Sequence, residues 1–167
     1  MSEKLTKKDV EKIQAEIEHR KLVVRPQALA DVKEARAQGD LSENFEYKAA
    51  KQFKNKNDSR IRYLEKVLKT AQVIDDESAD DEVGIHNTVT LYIEEDDEEE
   101  TYRLTTSISS NSRDGRVSID SPMGKAILGH RVGDRVEIKV NDSFSYFAVI
   151  RKIENTEDDG SETLRSF

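Results

Sequence analysis

The sequence predicts an α+β protein: an N-terminal antiparallel α-helical coiled-coil hairpin over residues 1–76, a small α+β domain over 77–155, and a flexible acidic tail over 156–167. Three observations predict it. Apolar residues recur three and four positions apart through the first 70 residues, as on one stripe of a helix. Beyond residue 82 the pattern changes to short runs rich in β-branched residues, divided by turn residues. Charge divides in the same region. Residues 1–70 hold 17 Lys and Arg against 12 Asp and Glu, whereas residues 71–167 hold 10 against 23, within a net charge of −8. Halves of opposite sign imply two modules with different partners; only the first suits a polyanion.

The elements follow in order. Thr6 with Asp9 three residues later is a capping signal for the first helix. Val10, Ile13, Ile17 and Val24 line its stripe, and Leu29, Val32 and Ala35 continue it beyond Pro26, which kinks or briefly breaks the helix. In a second run Tyr47, Ala50, Ile61, Leu64, Leu68 and Ala71 keep the same spacing. Packed antiparallel, Val32 meets Ala50, Ile17 meets Leu64 and Val10 meets Ala71 along an a/d-like seam. Roughly 30 residues of helix extend about 45 Å, more than a small domain needs for its own core.

"DDESADDE" (75–82) reads as a solvated linker. Strands are predicted in "NTVTLYIEE", "ETYRLTT", "GRVSID", "DRVEIKV" and "FSYFAVIRKI". "SPMGKAILG" fits a short helix with Ser121 as N-cap and Pro122 at its first position. "VNDSF" is a hairpin turn between the last two strands, and "EEDDEEE" (94–100) a solvated connection that keeps a sheet edge soluble. The tail "ENTEDDGSETLRSF" reads as frayed.

Composition narrows the chemistry. With no cysteine there is neither a disulfide framework nor a Cys-ligated zinc site, and His19, His86 and His130 show no pairing at metal-ligand spacing. The first ten residues lack the apolar core of a signal peptide, and no run reaches membrane-spanning length. A soluble cytoplasmic monomer without a membrane partner is expected.

The break between the helical runs, "GDLSENFEYKAA" (39–50), concentrates the candidate functional residues. Gly39 is expected to supply the left-handed conformation that ends the first helix. Asp40-Leu41-Ser42-Glu43 has the spacing of a capping box, with Asp40 as N-cap and Glu43 reaching back to its amide. Asn44 and Glu46 read as framework of the turn and Tyr47 as a seam residue.

"ARAQGDLSENFEYKAAK", "RIRYLEKVLKTAQVID" and "SPMGKAILGHRVGD" closely resemble the bacterial transcript cleavage factors GreA and GreB, in the same order and spacing, over nearly all the chain except the tail. The resemblance implies a coiled coil that enters the secondary channel of RNA polymerase, and an FKBP-like C-terminal domain that holds the channel rim. It implies a transcription elongation factor that stimulates cleavage of the 3′ end of backtracked nascent RNA. By the same resemblance Asp40 and Glu43 are tip carboxylates that help bind a second Mg²⁺ shared with the polymerase active site. Mg²⁺ takes hard oxygen ligands and often needs only one or two carboxylates, and paired metals stabilise both attacking and leaving oxygens. Two carboxylates are too few for an independent site. The isolated chain is therefore expected to bind no cofactor and to be no enzyme itself.

Arg36 and Lys51 fall where the family keeps basic residues that guide RNA; Lys48, Lys54, Lys56 and Arg60 extend the positive charge along the second helix, or form an ordinary solvated face. Ser121, Pro122, Gly124, Lys125 and Gly129 mark the expected polymerase-docking surface. Two departures stand out: Phe45 replaces a small residue of the family, and "KQFKNKND" (51–58) is unusually basic and puts Lys56 and Asn57 at or near the seam. They keep open an alternative, a paralogue that occupies the channel and inhibits or modulates transcription without supporting cleavage. The FKBP likeness implies no isomerase activity.

Overall fold

The structure, a computed structural model, describes residues 2–39 and 44–166, which divide into two compact units. One is built from Val10–Ala71, the other from Glu3–Asp9 together with Gln72–Ser166. Among the described residues no helix is long and apolar enough to cross a membrane.

The first unit is the helical hairpin. Helix α1 (Lys7–His19), a π-helical turn (Arg20–Val24) and α2 (Arg25–Ala37) form one continuous helical run; α3 (Phe45–Thr70) returns beside it. Pro26 therefore does not break the chain. The amide of Arg25 donates to the carbonyl of Arg20, five residues back, so the run passes the proline through a π-helical turn and continues as α2. The buried stripe runs through Ile13, Ala28 and Ala35 and, on α3, through Ile61, Leu64 and Val67. Leu29, expected in the seam, is 46% exposed. Ala28 takes that place, and the next residue lies about 100° further round the helix.

The middle of the seam is polar. Asn57 and Arg60 are buried in α3. The Arg60 Nε donates to Glu16 Oε2 at 2.8 Å, and the Arg20 Nε donates to the same oxygen at 2.8 Å. Arg20 also donates to Asn57 Oδ1 at 2.9 Å, while Asn57 Nδ2 returns a bond to the Arg20 carbonyl at 3.3 Å. Lys21 pairs with Glu65 at 2.7 Å and Arg25 with Asp58 at 3.2 Å. Burial alone would raise the Glu16 pKa, but the hydrogen bonds from Arg60 and Arg20 outweigh it and hold the carboxyl below the ordinary range.

The second unit begins before the hairpin. Strand β1 (Lys4–Leu5) pairs in parallel with β2 (Gln72–Val73), and Leu5 is fully buried. Beside the expected division at residues 76 and 77, residues 3–9 join the second unit, and the linker read at 75–82 follows a strand already paired in it. The Thr6 and Asp9 capping signal forms reciprocally, amide to side chain, at 3.0 and 3.2 Å. Thr106 and Ser109 hydroxyls also donate to the buried Asp9 carboxylate.

Strands β3 (Thr88–Ile93), β4 (Glu98–Thr105), β5 (Arg116–Ser118), β6 (Arg135–Asn141) and β7 (Phe144–Glu154) form one sheet in the order β5-β4-β3-β7-β6. Only β4 and β5 pair in parallel. Alternate residues of β3 (Val89, Leu91, Ile93) enter a core completed by Leu104, Val136, Ile138, Ala148 and Ile150, with Ile127 from the short helix α4 (Pro122–Ile127). The acidic run 94–100 splits: its first residues turn the chain, and Glu98–Glu100 pair with Ile93–Leu91 as strand. The tail read as frayed is instead seated. Asp158 and Glu162 are buried, and the Arg165 amide donates to the Ile108 carbonyl at 2.7 Å. Arg116 holds it from the sheet side, donating to the carbonyls of Ser161 and Thr163.

Candidate functional site

The hairpin's two helices meet at a frame set by one side chain. Asn44 is the N-cap of α3: its Oδ1 accepts from the Tyr47 amide at 2.9 Å. Its Nδ2 donates at 2.7 Å to the carbonyl of Ala35, in the last turn of α2, which also accepts from the Gln38 amide at 3.3 Å. The same amide group thus satisfies the end of one helix and the start of the next. Asp40, expected as N-cap, is replaced in that role by Asn44, so the capping box read at 40–43 does not start α3. Asp40 and Glu43 themselves lie outside the described residues.

Gly39 has φ 155°, not the left-handed value near +57° expected of a C-cap glycine; the conformation is nonetheless one that side chains rarely adopt. Arg36, in the last turn of α2, donates to the Tyr47 hydroxyl at 3.1 Å, its guanidinium 5.4 Å from the ring centroid. That hydrogen bond, with the positive charges of Arg36 and Lys51, lowers the Tyr47 phenol pKa. Tyr47 is therefore half-buried at the hairpin end and carries Arg36 across from the neighbouring helix.

The remaining basic residues differ in their commitments. Lys48 lies 5.7 Å from the ring centroid of Phe45, a side chain 79% exposed. Lys51 and Lys56 are exposed. Lys54 instead pairs with Asp58 at 3.2 Å, and Arg25 binds that carboxylate's other oxygen. Arg60, read as surface charge, is buried against Glu16. Arg36, Lys48 and Lys51 therefore remain as the cations nearest in sequence to the hairpin turn.

The residues expected for docking lie on and after α4. Ser121 caps that helix, its Oγ accepting from the Gly124 amide at 3.0 Å, with Pro122 in the first turn. Gly124 is buried so closely that an added Cβ would stand 2.0 Å from the Ser118 carbonyl oxygen. Ser121 and Gly124 are thus explained by local folding. Pro122, Lys125 and Gly129 are exposed, and so are Leu128 and Val132, two apolar residues that sequence reasoning did not single out. Their signal was an apolar residue left outside the periodic pattern of α4.

Two family models match the chain: "Transcription elongation factor, N-terminal" over residues 3–73 and "Transcription elongation factor, GreA/GreB, C-term" over residues 77–155. Transcription elongation factor GreA of Chloroherpeton thalassium is 42% identical over 153 residues, covering 90% of this chain and 97% of the relative. The protein of the same name from Christiangramia forsetii is 38% identical, with 87% and 92% covered. A solved structure of the transcription factor Gfh1 is 27% identical, covers 93% of this chain and 99% of that one, and superposes with a TM-score of 0.46.

Proposed function

The chain belongs to the GreA/GreB family of transcription elongation factors, and we propose that it enters the secondary channel of RNA polymerase and stimulates cleavage of backtracked nascent RNA. The single observation that carries this reading is the segment "GDLSENFEY" at the turn of a helical hairpin whose two ends are tied together by Asn44. Asp40 and Glu43 supply carboxylates to a Mg²⁺ shared with the polymerase site, so the chain completes another enzyme's centre and has none of its own. Arg36, Lys48 and Lys51 meet the phosphates of the RNA 3′ segment, and Lys54 contributes only if its pair with Asp58 opens. The C-terminal unit docks on the polymerase through the exposed surface on and after α4, with Pro122, Lys125 and Gly129.

The decisive experiment is the double variant Asp40→Asn, Glu43→Gln added with Mg²⁺ to backtracked polymerase. Since Asn44 caps α3, both amides should leave folding and polymerase binding intact while cleavage falls by orders of magnitude. Full cleavage by that variant sinks the mechanism. The exposed Phe45 ring beside Lys48 favours a second reading, in which the hairpin occupies the channel without aiding cleavage. Wild-type protein that displaces a known channel-binding factor yet shortens no transcript would establish it.

A further inference from the structure

Outside the hairpin, three buried ligand-type side chains converge where the C-terminal segment folds back. His86, Asp158 and Glu162 are 5%, 3% and 1% exposed, and one ligand atom from each lies within 4.8 Å of the others. Residues 158 and 162 fall beyond the part of the chain that the family models match. The Nε2 of His86 is 2.9 Å from Asp76 Oδ2, and its Nδ1 is 2.8 and 3.0 Å from the two carboxylate oxygens of Glu162.

A neutral imidazole has one N–H and one lone pair. If Asp76 takes the N–H, the lone pair on Nδ1 faces a carboxylate that can only accept, and the gap demands a cation. A proton can fill it: burial favours the neutral ring, but Glu162 and then Asp76 outweigh burial and raise the His86 pKa. A metal ion fills it with a fuller ligand set, because a carboxylate oxygen of Asp158 lies within 4.8 Å of the ligand atoms of His86 and Glu162. One imidazole and two carboxylates suit a divalent ion of the zinc type, and a carboxylate on the other ring nitrogen is the usual outer partner of a metal-bound histidine. Around the set, Arg103 contacts Glu162 at 3.4 Å, Lys8 donates to the Asp158 carbonyl, and the Gly160 amide donates to Asp158 Oδ1. A cleft of about 460 Å³, lined by Asp76, His86 and Asp158 among others, borders the ring; the Asp76 side chain is 40% exposed, so the cleft gives an ion its entry.

We propose that His86 Nδ1, Asp158 and Glu162 form a zinc-type divalent cation site, oriented by Asp76, that clasps residues 158–162 to the start of β3. The ion brings the open coordination positions, filled by water from the cleft, and fastens the C-terminal segment to the sheet.

The test titrates ZnCl₂ into chelator-stripped full-length protein, followed by calorimetry, native mass spectrometry and thermal melting. One tightly held zinc per chain and a raised Tm are expected, with no such shift from Mg²⁺ at equal concentration. His86→Asn, chosen because Asn tolerates the positive φ of 76° at this position, should weaken zinc binding at least ~100-fold. Asp76→Asn, which leaves every direct ligand in place, should weaken it about 10–100-fold. X-ray absorption of the zinc-loaded wild type, independent of any variant's folding, should show one nitrogen with oxygens at about 2.0–2.2 Å. Zinc binding that His86→Asn leaves unchanged, or an absorption spectrum with oxygen ligands alone, overturns the site and leaves His86 a protonated clasp.

Discussion

Where the hairpin's helices meet, Glu16, Arg20, Asn57 and Arg60 occupy the middle of the seam; where the sheet meets α4, the core is Val89, Leu91, Ile138, Ile150 and their aliphatic neighbours. The two regions are held by different chemistry. Aliphatic burial is non-directional and contributes roughly 25 cal/mol per Å², so the sheet unit gains stability from area. A buried ion pair with its hydrogen bonds gains little net energy over an apolar pair, because desolvation offsets the attraction. It is directional, however. Glu16 can accept from Arg60 and Arg20 together in only one alignment of the helices, so the polar seam fixes which residues face each other and therefore where the turn falls. We read the difference as stability placed in the sheet unit and register placed in the hairpin.

Truncation at the two kinds of contact should separate them most widely. Leu91→Ala, at a fully buried site in the centre of the sheet, should cost about 3–5 kcal/mol, read as a lower urea midpoint of the C-terminal unit. If it costs no more than a surface change, the aliphatic core is not what holds that unit. Arg60→Ala should cost about 1–3 kcal/mol, because Glu16 loses one of its two guanidinium donors. Replacing Glu16 and Arg60 together by Leu and Met should restore most of that loss while allowing helices to slip, visible as mixed products when single cysteines are placed across the seam and oxidised. A double variant that is as uniquely paired as the wild type would remove the register argument.

Asn44→Ala should cost about 1–2 kcal/mol and speed amide exchange at Tyr47, since the cap and the tie to Ala35 are lost together. Asn44→Asp keeps the acceptor for Tyr47 and removes the donor for Ala35, so it should cost less. Equal losses from the two would mean that the tie to α2 carries nothing.

The smallest expected effect is the pH dependence of the hairpin. The Glu16 and Asp58 carboxyls both have folded pKa values below their ordinary ones, held there by Arg60 and Arg20, and by Lys54 and Arg25, against the opposing effect of burial. A depressed folded pKa contributes stability that is complete above the ordinary carboxyl range and disappears as pH falls through the folded value. Protection of the α1 amides, measured against their intrinsic exchange rates at each pH, should therefore fall on acidification below that range, and Glu16→Gln should flatten the response. Identical acid profiles for wild type and Glu16→Gln would place the acid sensitivity elsewhere.

Much of the architecture was legible because it rests on periodicity and capping. Thr88–Ile93 alternates half-buried and buried residues as its sequence alternates, and Thr6 with Asp9 and Ser121 before Pro122 mark helix starts by chemistry that acts within three residues. The polar seam was less so, because a stripe sought by apolar residues passes over Arg60, and Asn57 stood out only as an oddity. Strands β1 and β2 have two residues each, too few for any alternation, which is why their pairing was not legible. The tail's anchor joins residues 76 positions apart and leaves no local trace. At the candidate site, the capping-box template drew attention to Asp40 and Glu43, while the residue that caps α3, Asn44, has Tyr47 and not Glu or Gln three positions on.

The bridge made by Asn44 has a consequence for how this protein can change over generations. The last turn of α2 and the first of α3 are aligned to each other by a side chain outside positions 40–43. The tie between the helices therefore stays in place whichever residues stand at those four positions. Selection on what the turn does and selection on how the hairpin folds then act on separate letters of the gene, so new activities can be tried at the turn on a hairpin that stays the same.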